Sequence, residues 1–159
     1  MESTHATAAD AELILRLYDL RRETEMRKAR NWFAGEFWPR SFSDVEQTMM
    51  QFGSPQSRWL GQVLSYWNMA ATFVVQGALS PALFTETCHE AWFCYAKLKP
   101  FLQEGRTKFA SDFMANLEKV IEGSAEGRER LQQMQERLAH FSAMAKDSKG
   151  QPPSTSEAA

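Results

Sequence analysis

Apolar residues recur at steps of three and four along most of this chain, the spacing that lines one side of an α-helix at about 100° per residue. From Ala9 to about Phe33 there is neither Pro nor Gly, and Ala11, Ile14, Leu15, Tyr18, Ala29, Trp32 and Phe33 share one side. The pattern predicts one long first helix. Leu13, Leu17 and Leu20 form a second apolar strip opposite its first half. A half-helix that is apolar on two sides is enclosed by other helices or used for self-association, so both strips are expected to be buried.

Punctuation divides the rest. The first helix is expected to end near Gly35, and Phe37-Trp38-Pro39 makes an aromatic connection, because the residue before Pro is pushed out of helical geometry. Ser43 and Glu46 have capping-box spacing, which predicts a short helix closed by Gly53. Ser54-Pro55 and Ser80-Pro81 each offer a side-chain oxygen to cap a helix and a Pro whose missing N–H is not needed there. The first opens a stretch carrying Trp59, Leu60, Val63, Leu64, Trp67, Ala70, Ala71, Phe73, Val74 and Val75, apolar almost all round, with Gly77 as a left-handed stop. It is predicted to be the central helix.

The second opens a helix from Pro81 to about Lys99, built on Phe84, Cys88, Ala91, Tyr95 and Leu98 with Trp92 beside them, which Pro100 ends or kinks. Gly105 marks a break, and a fifth helix, about Lys108 to Glu122, uses Phe109, Phe113, Leu117 and Val120 or Ile121 before Gly123. A sixth packs by the single stripe Leu131, Met134, Leu138, Phe141 and Ala145. No stretch alternates apolar and polar residues next to hairpin turn chemistry, so no sheet is expected.

The predicted fold class is therefore all-α: a compact bundle of five or six helices over 9–146, after a flexible N-terminus at 1–8. Residues 147–159 are Ser, Gly, Gln, Pro and Glu with no apolar side chain larger than Ala, too little to offset the entropy of ordering them. They are expected to be a disordered tail. Composition supports a single core, since 43% of the 159 residues are apolar and 12% aromatic.

Charge narrows the partners. A formal net charge of -2 argues against a protein whose main task is neutralising phosphates. Between Arg16 and Arg40, seven basic residues stand against four acidic ones, with Trp32, Phe33, Phe37 and Trp38 among them. Basic residues with aromatics can grip single strands, yet these aromatics occupy the core positions of the helix, which weighs against nucleic acid. The segment Trp59 to Leu79 is interrupted by Gln62, Ser65, Asn68, Thr72 and Gln76, too polar for a membrane span. Met1 to Asp10 lacks the features of a signal peptide, and a cytoplasmic location is expected.

Candidate chemistry is sparse. Glu86 and His89 form half of a di-iron carboxylate pattern, but Glu136 and His140 are four apart rather than three, so no metal and no cofactor is expected. Cys88 and Cys94 point about 120° apart on a helix and are read as buried thiols, and His89 is poorly placed to deprotonate Cys88. Arg22 and Glu25 fall in the middle of the first helix's apolar face and need partners, either each other or a ligand. A pocket formed by Arg22, Glu25, Trp67, His89 and Trp92 is the candidate ligand site. Phosphate loops, nucleophile elbows, Cys-x-x-Cys and His-Glu-x-x-His are missing, and no catalytic residue is assigned.

Leu64-Ser65-Tyr66-Trp67-Asn68-Met69-Ala70, then Val75-Gln76-Gly77-Ala78-Leu79-Ser80, Trp92, Leu98-Lys99-Pro100-Phe101 and Arg106 resemble a family of small helical bacterial proteins carrying a domain of unknown function. The resemblance spans about 60–120 and rests on packing and turn residues. It implies a helical fold and a bacterial origin, and brings no activity. The function expected from the residues is protein-protein interaction or assembly, with self-association first, because the extra strip on the first helix and the single-stripe last helix leave apolar faces over. The alternative is a small-molecule-binding or enzymatic helical domain using the pocket above.

Overall fold

A computed structural model describes residues 5–149. Among them all regular structure is helical: α1 (Ala8–Arg22), α2 (Thr24–Gly35), α3 (Phe42–Met50), α4 (Pro55–Val75), α5 (Pro81–Thr87), α6 (His89–Leu98), a 3-10 turn (Lys99–Phe101), α7 (Leu102–Lys108), α8 (Ala115–Glu122) and α9 (Ala125–Lys149). The all-α class stands, but the expected five or six helices become nine α-helical segments among the described residues. The central helix is where the sequence put it. Ser54 and Ser80 cap α4 and α5 as expected, and Gly77 takes the left-handed φ of 74° after α4.

α4 packs against α2, α3, α6 and α8, while α9 lies across α6 and α8 and α1 rests on α2 and α5. Its inward face carries Leu60, Val63, Leu64, Trp67, Ala70, Ala71 and Val74 into the core. Trp67, Phe84 and Trp92 form a run of ring contacts there, with centroids 6.4 and 5.9 Å apart.

Two of the three extra helices come from breaks that no Pro or Gly announces, while the third, α7, follows the turn at Pro100. The single first helix is divided at Glu23, whose backbone turns extended (ψ 144°) and whose carboxylate accepts from the Met26 N–H to start α2. The carbonyls this leaves at the end of α1 are taken by arginines of α2: Arg27 Nη2 donates to Arg22 O at 2.7 Å and Arg30 Nη1 to Arg21 O at 3.2 Å. The helix expected from Pro81 to Lys99 is divided at Cys88, and Thr85 O accepts from Arg130 on α9 at 3.1 Å.

Three smaller corrections follow from packing. The capping box of α3 is Ser41 with Asp44, not Ser43 with Glu46, and this earlier start buries both Phe42 and Val45. Gly105 is not a break but a buried position inside α7 where a Cβ would lie 2.7 Å from the Phe113 ring. The fifth helix therefore begins late, at Ala115, after Met114 adopts a left-handed φ of 56°.

Of the two strips on α1, Leu17 is buried and Leu13 packs against the core, but Leu20 is exposed. On the opposite side Ile14 packs against the core while Ala11, Leu15 and Tyr18 are exposed, so the other helices of the chain enclose neither strip completely. At the ends, Thr7 caps α1 in a reciprocal box with Asp10, and α9 continues past Asp147 to Lys149. The rest of the expected flexible N-terminus (1–4) and of the expected disordered tail (150–159) lies outside the described residues.

Candidate ligand cleft and exposed helix face

The five residues expected to share a pocket are distributed over the molecule. Trp67 is fully buried in the core, with the Arg21 guanidinium 5.4 Å from its ring. Arg22 is exposed and stacks on Tyr18, 5.8 Å from the ring centre. Glu25 pairs with Lys28 at 2.7 Å rather than with Arg22, and this contact holds its carboxyl below the usual range. Arg22 and Glu25 fall on opposite sides of the Glu23 break, so the helical spacing that was to join them is lost. Only His89 and Trp92 line the same cavity.

That cavity, about 180 Å³, lies between α6 and α9 and is walled by His89, Trp92, Arg130, Gln133, Met134 and Arg137. His89 opens α6, whose first turn has no capping side chain because the residue before it is Cys88. Arg130, Gln133, Met134 and Arg137 are spaced by three, four and seven and so share one face of α9. Trp92 closes the floor, with its indole N–H donated to Gly127 O at 3.0 Å. Arg130 is held in place by Thr85 O and by Glu126 at 2.8 Å. Arg137 is exposed and has no hydrogen-bond or ion-pair partner among the described residues.

A second polar feature escaped the sequence reading. Lys97 is only 7% exposed, and its Nζ donates to Phe33 O, near the C-terminus of α2, at 2.5 Å. Four rings surround the ammonium: Trp38 at 3.8 Å, Phe33 at 4.7 Å, Phe93 at 5.0 Å and Phe37 at 6.0 Å from Nζ to centroid. Burial without a carboxylate partner pushes its pKa down to about 7. In sequence Lys97 lies between Ala96 and Leu98 with nothing to distinguish it from a solvated lysine.

Nearby groups are locally satisfied. Arg30 forms a bidentate pair with Glu90, with Nε and Nη2 bonds of 2.8 and 2.5 Å. Tyr95 donates to Glu122, which also takes Lys99 at 2.6 Å, while Arg106 pairs with Glu118 at 2.7 Å. Burial raises the Glu122 carboxyl, but the bonds from Lys99 and Tyr95 outweigh it and the net shift is downward. Both cysteines are buried, and burial raises their thiols above the usual value. Among the described residues, no three His, Cys, Asp or Glu side chains lie together as metal ligands would. No helix described here is long and apolar enough to cross a membrane.

The last helix behaves differently along its length. α9 has 25 residues, about 37 Å at roughly 1.5 Å per residue, whereas α6 and α8 beneath it have 10 and 8. Along its stripe Leu131 is 3% exposed, Met134 and Leu138 are half-buried, and Phe141 is 50% exposed, with Met144 beside it at 57%. The apolar stripe thus outruns its support.

A family profile described as "Domain of unknown function (DUF4760)" matches residues 6–124. The chain belongs to this family. The match covers α1 to α8 and ends one residue before α9 begins. No curated protein and no solved structure matches the chain significantly. The DUF4760 span contributes His89 and Trp92 to the cleft, and α9 contributes the arginines. One sequence signal could have pointed to Arg137: its neighbours three and four residues away are Gln133, Met134, His140 and Phe141, none acidic, so no helical partner was ever available to it.

Proposed function

We propose that the protein is a self-associating interaction module in which the C-terminal half of α9 pairs with the same segment of a second copy. The observation that carries this reading is the graded exposure of one stripe, from buried Leu131 to half-exposed Phe141 and Met144. The stripe runs three, four, three from Leu131 to Phe141, the spacing of a helix-pairing seam. A helix end that outruns its own domain and still carries large apolar side chains gains stability from a partner helix. An apolar stripe can meet its own copy about a twofold axis without any charge complementarity, which favours a second copy as its occupant.

The test is light scattering on the full chain across the micromolar range. A dimer that becomes a monomer in the Phe141→Glu, Met144→Glu variant is the expected result. A wild-type protein that stays monomeric throughout overturns the reading. The exposed Leu15 and Tyr18 on α1 serve as a control: Tyr18→Ser, away from α9, is expected to leave the dimer intact.

The alternative of a ligand-binding domain keeps support in one place, the cleft that joins His89 and Trp92. Arg22, Glu25 and Trp67 do not contribute to it.

A further inference from the structure

We infer that the cleft between α6 and α9 binds the phosphate group of a small organic phosphate, with Arg137 as its principal ligand. The walls carry donors and no carboxylate. Of the six lining residues, His89, Arg130, Gln133 and Arg137 can donate, Met134 and the Trp92 ring are apolar, and none is acidic. Two clefts elsewhere on the surface include a carboxylate, Glu90 or Glu23, and the adjoining cleft that shares Gln133 and Arg137 includes Glu136, so the acid-free lining belongs to the side of Arg137 that faces His89 and Trp92.

The donors differ in how free they are. Arg130 already spends its guanidinium on Thr85 O and Glu126 and acts as a fixed wall. Arg137 is unpartnered among the described residues, and its planar fork matches two oxygens of a phosphate. Gln133 lies one turn earlier on the same face of α9, and His89 lines the opposite wall on α6, so donors stand on both sides of the cleft. That arrangement suits a tetrahedral group with three exposed oxygens better than a planar carboxylate, which a single fork satisfies. The volume of about 180 Å³ is below the roughly 300 Å³ at which drug-sized pockets begin, so the ligand is small. Trp92 and Met134 give its carbon skeleton an apolar floor. This inference does not depend on self-association: the cleft is complete within one copy.

The experiment is calorimetric titration of the full chain with inorganic phosphate, ribose 5-phosphate and ribose, at ionic strength matched with sodium chloride. Saturable binding of both phosphates and none of ribose is expected. Arg137→Ala, at an exposed position that leaves the fold intact by circular dichroism, is expected to weaken phosphate binding by at least about tenfold, and Arg137→Lys by less. Arg16→Ala on α1 is the control and is expected to change nothing. Absence of saturable phosphate binding up to millimolar concentration, equal binding by Arg137→Ala, or equal binding of ribose each overturns the inference.

Discussion

Lys97 is in an environment that works in two directions at once. The four rings and the Phe33 carbonyl favour the ammonium, while removal from water disfavours it, and the balance leaves the amine near pKa 7. An unfolded lysine titrates at about 10.5, so between pH 7 and that value the unfolded chain holds a proton the folded chain has lost. Stability therefore rises with pH from about 7 upward. As pH nears 9.0, the ordinary thiol value, the trend is opposed by Cys88 and Cys94, whose raised thiols make the folded form the better proton holder. Lys97→Met isolates the effect: denaturant melts at pH 7 and pH 8.5 are expected to show a gain for the wild type and a flat or slightly falling response for the variant, which keeps both thiols. The variant also leaves Phe33 O without its donor, at a cost of about 1 kcal/mol that is the same at both pH values. A residue of this kind was invisible in the sequence because its neighbours in space, Trp38 and Phe33, are some 60 positions away.

At the scale of the elements, a common device seals the helix ends. Carbonyls left over at the C-terminus of α1 meet Arg27 and Arg30, that of Phe33 in α2 meets Lys97, that of Thr85 in α5 meets Arg130, and that of Glu122 in α8 meets Arg128 at 2.6 Å. Cations at helix C-termini also complement the macrodipole. Since these partners come from other helices or across the break, the sequence offers no Gly or Pro to mark the stops at Glu23 and Cys88. The Ser-Pro starts at Ser54 and Ser80 were legible because cap and Pro are adjacent in the chain. Arg30 couples most to the rest: it closes α1 and holds Glu90 on α6. Arg30→Met is expected to lower stability by about 1–3 kcal/mol in chemical denaturation, because it strands a partly buried carboxylate as well as a carbonyl. Arg27→Ala, which frees one exposed carbonyl, is expected to cost about 0.5–1 kcal/mol, and equal losses would contradict this account.

For the molecule as a whole, the family match covers eight helices, α4 among them, and stops at the point where α9 begins to cross them. That last helix contributes to both proposed activities, with Phe141 and Met144 on its free half and Arg137 in the cleft. Pairing between copies ties folding to concentration, so the melting temperature is expected to climb by a few degrees for each roughly tenfold rise in protein concentration. The Phe141→Glu, Met144→Glu variant is expected to melt at a temperature independent of concentration. A wild-type melt with no concentration dependence, in a protein that scatters light as a dimer, would place the dimer contact away from the folding unit. Met134 belongs to both stripe and cleft and Arg137 lies one turn before Phe141, so Phe141→Glu places a carboxylate beside the phosphate ligand, and phosphate at saturation is expected to raise the melting temperature of the wild type more than that of the variant.

The sequence by itself determined the helical class, the central position of Pro55–Val75, and the two Ser-Pro starts, because three- and four-residue spacing and adjacent capping atoms act over a single turn. It also led to the family through packing residues such as Trp67, Gly77 and Trp92. Tertiary structure alone decided where the long helices break, which side of α1 faces inward, and which polar residues meet. Those outcomes depend on contacts between residues far apart in the chain: an arginine reaching a distant carbonyl, a lysine enclosed by rings from two helices and the connection after α2, and α9 bringing Arg130 and Arg137 over His89. Local periodicity carries no record of such distances, so the proposed site emerged only when the helices were packed.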